Sequence, residues 1–390
     1  MTHLLLTLAG AVLAGITLPL VLELLVVTAA HLLPARSRFR AIAQTPPVLA
    51  IVVPAHNEEL LVDRAVRSLR ASAPAGVRIY VVAHNCTDAT AARAEAAGAE
   101  ALVYNDSTAK GKGFALRYGF RHALAAGAGA VMVVDADSTV STNTVAEVEQ
   151  AFAAGARVVQ CRYEMFSSTE KSSTRLAALA FRGFNVVRPR GRERLGCSAG
   201  ILGNGFAILR PVLEAIPYDA FSVVEDLEYH LHLVMAGEQV RYLDDALISA
   251  EFPESKAGES VQRSRWEGGR LLTARTWALP IASQVLRGRL RLLEPLCDLT
   301  GLPLAYGVFA LLLALCLPLG WLRWYAAVSL AVVAAHVLAA AWAGPDFLKT
   351  LRLLALTPFY ILRKLAMIPG VLRGSSAKAA WVRTERDNTL

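Results

Sequence analysis

The chain has 390 residues, of which 55% are hydrophobic, and its mean hydropathy is +0.42. This composition excludes a purely soluble globular protein and predicts that part of the chain lies in lipid. The net charge of +8 indicates an anionic membrane surface or phosphorylated substrates, because no nucleic-acid-binding motif is present. The five scattered cysteines form no C-x-x-C pair, which argues against a disulfide framework or zinc site and indicates a reducing, cytosolic environment.

An almost uncharged apolar segment fills most of residues 1–35 and predicts an N-terminal transmembrane helix. The segment lacks a basic start and is too long for the apolar core of a signal peptide. Its one carboxylate, Glu23, indicates either a polar contact with another helix or a position near the interface. Because three arginines follow, the positive-inside rule places the next domain in the cytoplasm (Arg36, Arg38 and Arg40).

From residue 46 to residue 255, short β-rich runs alternate with alanine-rich helical stretches. The predicted strands are 49–53, 77–82, 101–104, 131–134 and 158–160. The predicted helices are 58–71, 89–97, 113–126 and 144–153. This β-α-β-α order predicts an α/β domain with a parallel sheet covered on both faces, and it places function at the carboxyl ends of the strands.

The remaining chain predicts interfacial and membrane-spanning helices. Residues 256–293 are basic and amphipathic, which is typical of helices on a membrane surface. Residues 294–344 contain two apolar spans, 299–319 and 321–342, which predict a transmembrane hairpin. Residues 345–390 are either a further crossing or an interfacial segment with a basic cytosolic tail. The positive-inside rule favours the interfacial segment, and hence three crossings in total.

Two carboxylates follow the fourth predicted strand directly, at Asp135 and Asp137. Alternation along an extended chain lets both point the same way. Carboxylates this close repel each other unless a divalent cation lies between them and a ligand. The same D-x-D pattern fits a strand-end turn capped by aspartate, so its meaning depends on the loops around it.

Polar residues also follow the first and second predicted strands: Pro54, His56, Asn57, Glu58, His84 and Asn85. Turn and capping chemistry explains each loop alone, and a nucleotide-facing surface is the functional alternative. A third loop places Lys112 between two glycines before a helix, an arrangement that suits a phosphate. Because it lacks the dinucleotide-binding fingerprint, an NAD-type dehydrogenase can be set aside.

The order of these motifs resembles the family 2 glycosyltransferases with the GT-A fold. The matching segments are 52–58, 85–88, 112–116, 135–137, 203–207, 224–226 and 262–266. The resemblance covers about residues 48–266. The flanking segments are similar to the membrane-bound branch that includes cellulose, chitin and hyaluronan synthases. Residues 381–386 resemble the tail of poly-N-acetylglucosamine synthases.

By this resemblance, Asp135 and Asp137 would hold Mg²⁺ or Mn²⁺ against the diphosphate of a nucleotide-sugar. A cation there would neutralise the charge that develops as the nucleoside diphosphate departs. Asp226 matches the general base that takes the acceptor's proton, with Glu225 beside it as the second catalytic carboxylate. Direct attack on the anomeric carbon would invert its configuration. A helix N-cap pair is the structural alternative for these two carboxylates.

The resemblance also assigns the binding residues. Arg265 would clamp the pyrophosphate and Trp266 would stack on the acceptor sugar, and a Trp–Arg belt at the membrane interface is the structural alternative. The nucleotide-sugar-binding set is Pro54, His56, Asn57, Glu58, His84, Asn85, Lys112, Asp135, Gln262, Arg265 and Trp266. The acceptor-binding set is Gly203, Asn204, Gly205 and Trp266.

We therefore expect a metal-dependent, inverting glycosyltransferase in a bacterial inner membrane, acting in cell-envelope polysaccharide synthesis. Family members commonly read the base with a carboxylate near His84, which this chain lacks, so UDP is only the expected donor. The acceptor would be lipid-linked or a polysaccharide. One alternative is a processive synthase whose pore needs a homo-oligomer or a partner membrane subunit. Another is a catalytically silent membrane scaffold, although the metal and base carboxylates are all present.

Overall fold

The computed structural model describes residues 1–34, 45–166, 172–252 and 256–374, without the side chains of 256–262 and 374. The predictions for Arg36, Arg38 and Arg40, for the side chain of Gln262 and for the tail beyond residue 374 lie outside the described residues.

Within the described residues, eight strands form one sheet in the order β3-β2-β1-β4-β7-β6-β8-β5. Their bounds are β1 (Leu49–Ala55), β2 (Arg78–His84), β3 (Glu100–Tyr104), β4 (Ala130–Val133), β5 (Thr139–Val140), β6 (Val158–Phe166), β7 (Phe206–Leu209) and β8 (Val240–Glu251). The first four strands in this order pair in parallel, as do β6 and β8. The predicted α/β class is confirmed.

The sheet is mixed, with more parallel than antiparallel strand pairs in the described chain, as the mostly parallel sheet of the expected GT-A fold implies. Strand β7 runs antiparallel to β4 and β6, and β5 runs antiparallel to β8. The backbone N–H of Gly205 donates to the carbonyl of Val133 at 2.9 Å, so β7 starts beside the carboxyl end of β4. This reversal brings the turn before β7 next to Asp135.

Four helices pack on the sheet: α2 (Val62–Ser72), α3 (Thr90–Ala96), α4 (Lys112–Ala125) and α5 (Thr144–Ala153). Helix α4 contacts β1 and β2, whereas α5 contacts β6 and β8. Strand β1 is buried on both faces, with Ile51 in one apolar cluster and Val52 in the other. Burial of each such side chain contributes about 1.5–3 kcal/mol. Helix α2 begins later than predicted, because the residues after Glu58 form a turn that bonds to its carbonyl.

The rest of the domain comprises α6 (Ser172–Arg182), a π-helical turn (Gly183–Val187), α7 (Arg188–Leu195), α8 (Arg210–Ala215) and α9 (Glu225–Ala236). One long helix, α10 (Lys256–Leu286), then leads into a 3₁₀ turn (Leu290–Leu292) and α11 (Leu293–Thr300). The chain continues through α12 (Leu304–Cys316), α13 (Gly320–Trp342), α14 (Phe347–Leu353), a 3₁₀ turn (Leu354–Leu356), α15 (Thr357–Ala366) and α16 (Ile368–Gly374).

Two helices of the described chain, α1 (Thr2–His31) and α13, are long and apolar enough to cross a membrane. A third candidate is the pair formed by residues 290–300 and α12, which is bent by 81°. This pair covers most of the apolar span predicted over 299–319. The chain breaks at Gly301–Pro303, since proline lacks the N–H that a continuing helix needs.

Helices α1 and α13 run parallel and meet through two polar contacts. The Thr17 hydroxyl lies 2.9 Å from that of Tyr325, and the Thr28 hydroxyl lies 2.8 Å from Nδ1 of His336. A Cβ added at Gly183, in the π-helical turn, would lie 3.1 Å from Nε2 of His336. The carboxyl-terminal ends of both helices therefore adjoin the α/β domain.

Glu23 is buried and joins α1 to the domain through an ionic cluster. Its carboxylate accepts hydrogen bonds from Arg188 at 3.2 Å and from Arg192 at 2.8 Å. Asp298 pairs with the same two arginines at 3.1 and 3.2 Å and with Arg270 at 2.9 Å. The polar contact predicted as one alternative for Glu23 is confirmed. Buried charges persist only when paired, so this cluster fixes α1 against α7.

Candidate active site

One cavity of about 1800 Å³ lies at the carboxyl ends of β1, β2 and β4. It brings together residues that the sequence separates by more than 200 positions. The predicted site residues that line it are Pro54, His56, Glu58, His84, Asn85, Lys112, Asp135, Asp137, Gly203, Glu225, Asp226, Arg265 and Trp266. Asn57, Asn204 and Gly205 are not among the lining residues.

Two asparagines shape the loops after β1 and β2. Both have positive φ, 56° at Asn57 and 52° at Asn85, a conformation that asparagine tolerates better than most residues. Oδ1 of Asn57 accepts from the backbone N–H of Thr87 at 2.7 Å, which ties the two loops together. The side chain of Asn85 accepts from the N–H of Asp106 at 2.8 Å and donates to its carbonyl at 2.9 Å. Asn57 thus braces the site from outside the cavity.

The predicted base-reading position carries an uncharged aromatic stack. The rings of His84 and Tyr104 are stacked with centroids 4.8 Å apart, and Tyr104 stacks on Tyr118 at 4.6 Å. Burial lowers the pKa of His84, so its imidazole is neutral at physiological pH. Nδ1 of His56 donates to the carbonyl of His84 at 2.8 Å and holds the two strand ends together.

Lys112 is the first residue of α4, and its ammonium group lies inside the cavity. It forms an ion pair with Asp135 and donates to the carbonyl of Gly203 at 2.7 Å. Burial opposes its charge, but the carboxylates of Asp135 and Glu225 outweigh burial and raise the pKa of Lys112. The loop therefore supplies a permanent positive charge at the end of β4.

Asn204 lies beneath the site and is not among the residues that line the cavity. It is 1% exposed, and its Oδ1 accepts from the backbone N–H of Asp135 at 3.1 Å. Its Nδ2 donates to Ser138 Oγ at 2.8 Å, and Gln160 donates to its carbonyl at 2.7 Å. Asn204 thus positions Asp135. Gln160 and Ser138 were not among the predicted site residues, although a glutamine in an apolar strand pattern is a detectable signal.

The two glycines of this turn have different tasks. Gly203 has φ of +76°, and a Cβ there would lie 3.0 Å from Oδ2 of Asp226. It therefore lets the carboxylate approach the turn. At Gly205, a Cβ would lie 2.5 Å from Cγ1 of Ile248, so this glycine allows close packing against β8.

Glu225 and Asp226 occupy the first turn of α9, inside the cavity. Oδ1 of Asp226 accepts from the backbone N–H of Leu227 at 2.8 Å. Burial raises the pKa of both carboxyl groups, that of Glu225 to about 7, while Lys112 opposes the rise. A carboxyl group with a pKa near the working pH can take up a proton during a reaction.

Arg265 and Trp266 lie on α10 and line the cavity. Trp266 packs against the apolar cluster that contains Met165 and Phe252. The next residue, Glu267, accepts from the Tyr306 hydroxyl at 2.6 Å and pairs with Lys364. Tyr306 on α12 and Lys364 on α15 therefore hold this part of α10. Neither residue could be found from the sequence, since their partner is distant along the chain.

The described residues contain no group of three or more His, Cys, Asp or Glu side chains arranged to hold a metal. Asp135 and Asp137 provide two carboxylates at one edge of the cavity. Mg²⁺ is commonly bound by one or two carboxylates together with substrate phosphates and water. This donor set fits a cation that binds with its substrate.

The fold is shared with a solved glycosyltransferase over nearly the whole chain. The mannosyltransferase PcManGT from Pyrobaculum calidifontis, in complex with GDP-Man and Mn²⁺, has a TM-score of 0.58 and 17% identity. The alignment covers 96% of this chain and 99% of that one. Glucosyl-3-phosphoglycerate synthase from Mycobacterium tuberculosis, with Mn²⁺, UDP and phosphoglyceric acid, has a TM-score of 0.38 and 21% identity, over 57% of this chain and 78% of its own. The expected GT-A fold is confirmed.

Sequence comparison points the same way. The probable glycosyltransferase YdaM of Bacillus subtilis is 25% identical over 236 residues, or 57% of this chain and 55% of YdaM. The match thus spans about half the length of that relative. Residues 46–269, more than half of the chain, match the family described as glycosyltransferase like family 2. The chain belongs to this family of glycosyltransferases.

Proposed function

We propose that the protein transfers a sugar from a nucleotide-sugar to a membrane-associated acceptor, with inversion at the anomeric carbon. One observation carries the proposal: Asp226 and Glu225 lie in the same cavity as the Lys112–Asp135 pair. That cavity therefore offers a proton acceptor and a positively charged group for a diphosphate. PcManGT is in complex with GDP-Man, so GDP-sugars stand beside UDP-sugars as candidate donors.

Different residues of this chain have different roles in the proposed transfer. Asp226 accepts the proton of the attacking hydroxyl, and burial raises its pKa, with a further contribution from the negative charge of Asp135. Glu225 is the second carboxyl group, next to it in the first turn of α9. Lys112 at the start of α4 and Arg265 on α10 donate to the phosphates. Asp135 and Asp137 would hold Mg²⁺ or Mn²⁺, which when bound supplies positive charge that stabilises the departing diphosphate.

We further propose an inner-membrane location with the catalytic domain in the cytoplasm. Two supports are the candidate spans α1 and α13, whose carboxyl-terminal ends both adjoin the α/β domain. The excess of basic residues fits an anionic cytoplasmic leaflet.

To test this proposal, detergent-purified protein is incubated with a panel of UDP- and GDP-sugars, with Mn²⁺ or Mg²⁺, and with a bacterial lipid extract. Release of nucleoside diphosphate, abolished by EDTA and restored by added metal, supports the proposal. The mass of the product then distinguishes a single transfer from processive elongation. No release with any donor, from protein shown to be folded, would contradict it.

The pH dependence of kcat/KM follows from the raised pKa of the buried carboxyl pair. Below that pKa the base is protonated and cannot accept the acceptor's proton, so the rate falls as pH decreases. We expect the acidic limb to lie above the ordinary carboxyl range, because burial raises the pKa of the base, Asp226. A limb near the ordinary carboxyl value of about 4 would show that neither group acts as a buried base.

A further inference from the structure

The active-site cavity continues away from Asp226 into the membrane part of the molecule. Helices α6, α12, α13 and α15 line its far end with six apolar side chains, and Tyr306, His336 and Tyr360 on the same helices add polar groups to the lining. We call this part the apolar limb; it is formed by Leu179, Val308, Leu330, Val333, Ala334 and Ile361. Because the limb and the carboxylates line one cavity, a single molecule can occupy both.

The limb lies in the half of α13 nearest the α/β domain. Leu330 and Ala340 both line the cavity and are ten residues apart, about 15 Å along the helix. That is about half of a hydrocarbon core roughly 30 Å thick. The contact of His336 with Thr28 marks the domain end of this stretch. The limb therefore lies at the depth of one lipid leaflet.

The lining of the limb favours hydrocarbon over carbohydrate. A sugar chain needs hydrogen-bond partners for its hydroxyl groups, and burying them against leucine and valine leaves those groups unsatisfied. The limb also has apolar surface beyond the protein interior, since Leu338, another lining residue, is 43% exposed. Exposed apolar surface on a candidate span is covered by lipid chains in a membrane.

We propose that the acceptor is a lipid whose hydrocarbon chain lies in the apolar limb while its polar head reaches Asp226; this rests on the proposed transfer reaction. An oxygen of the head attacks the anomeric carbon and forms the new glycosidic bond. The bond from that carbon to the phosphate oxygen breaks, and its electron pair leaves with the nucleoside diphosphate. The proton of the attacking group, where it carries one, passes to Asp226.

Adjacent alanines on α13 provide a matched pair of variants. Both alanines are exposed, but only Ala334 lines the limb. We expect Ala334→Trp to fill the limb and raise the KM for a lipid acceptor by about tenfold or more. Ala335→Trp should stay within about twofold of the unaltered protein, since surface changes have small effects. Polyprenyl phosphate and dioleoylglycerol serve as the lipids, and their comparison identifies the head group.

The same preparations are tested with a water-soluble oligosaccharide acceptor and with a photoreactive lipid. Faster transfer to a lipid, and lipid cross-linking lost only in Ala334→Trp, support the proposal. Equal or faster elongation of the soluble oligosaccharide, or cross-linking unchanged in Ala334→Trp, would overturn it. Binding of nucleoside diphosphate with Mn²⁺ is measured in parallel. If the unaltered protein does not bind nucleoside diphosphate, the proposed transfer reaction is contradicted. This measurement therefore distinguishes failure of the transfer reaction from failure of the lipid-acceptor proposal.

Discussion

Asp226→Asn is expected to reduce kcat by about 10²–10⁴-fold, because general-base catalysis contributes on that order. Asparagine has nearly the same shape as aspartate but cannot take up the acceptor's proton. Asp226 receives the backbone N–H of Leu227, and the amide oxygen of asparagine can accept that bond as well. The fold and the binding of nucleoside diphosphate should therefore survive. Initial rates and nucleotide titrations on the same preparation measure both quantities.

Asp219→Asn is the control for this substitution. Asp219 lies in the segment before α9 with its side chain 59% exposed, and its Oδ1 is 3.5 Å from Arg117. Its replacement removes one negative charge without touching the cavity, so kcat should change little. If Asp226→Asn keeps near-full turnover, another group is the base. If it loses nucleotide binding together with turnover, Asp226 serves the donor site and not the acceptor.

Arg192→Met is expected to destabilise the protein by about 3–5 kcal/mol, because breaking a buried ion pair leaves uncompensated charge in the interior. Arg192 pairs with Glu23 at 2.8 Å, with Asp298 at 3.2 Å and also with Glu294, and its side chain is 4% exposed. Removing it leaves three carboxylates sharing the remaining arginines. In thermal unfolding of the detergent-purified protein, the midpoint should fall by roughly 10 °C.

Two comparisons test whether the loss of stability in Arg192→Met comes from the unpaired buried charge. Arg157→Met breaks the pair with Glu238, in which the arginine is 51% exposed, and should cost at most about 1 kcal/mol. Combining Arg192→Met with Glu23→Leu removes one of the carboxylates left without Arg192 and should recover part of the lost stability. If both arginine variants unfold at the same temperature, the buried cluster does not hold α1 to the domain.

Most of the α/β domain could be predicted from the sequence, because its signals are local. The predicted strand 101–104 lies within β3 (Glu100–Tyr104), and the predicted helix 144–153 coincides with α5 (Thr144–Ala153). Strand β7 could not be predicted. Its four residues follow the turn at Gly205, and only pairing with β4 and β6 makes them a strand. The direction of that pairing depends on contacts distant in sequence.

The residues that line the candidate site could be predicted from the sequence, but the residues that position them could not. Sequence motifs brought Asp135 and Asp226 into one proposal, and both line the cavity. The role of Asn204 could not be deduced, because its partners Ser138 and Gln160 lie 66 and 44 residues away. The apolar limb could not be predicted from the sequence either. Its residues come from four helices whose sequences each indicate only apolar surface.

The anomeric configuration of the first product tests the central claim most directly. In the proposed single displacement, Asp226 activates the attacking hydroxyl and the diphosphate leaves from the other face of the sugar. The new bond must therefore form on the face opposite the leaving group. Proton NMR of the product from an α-linked nucleotide-sugar measures this through the coupling constant of the anomeric proton. We predict a β-linked product from the unaltered protein. An α-linked product would contradict a single displacement with Asp226 as base.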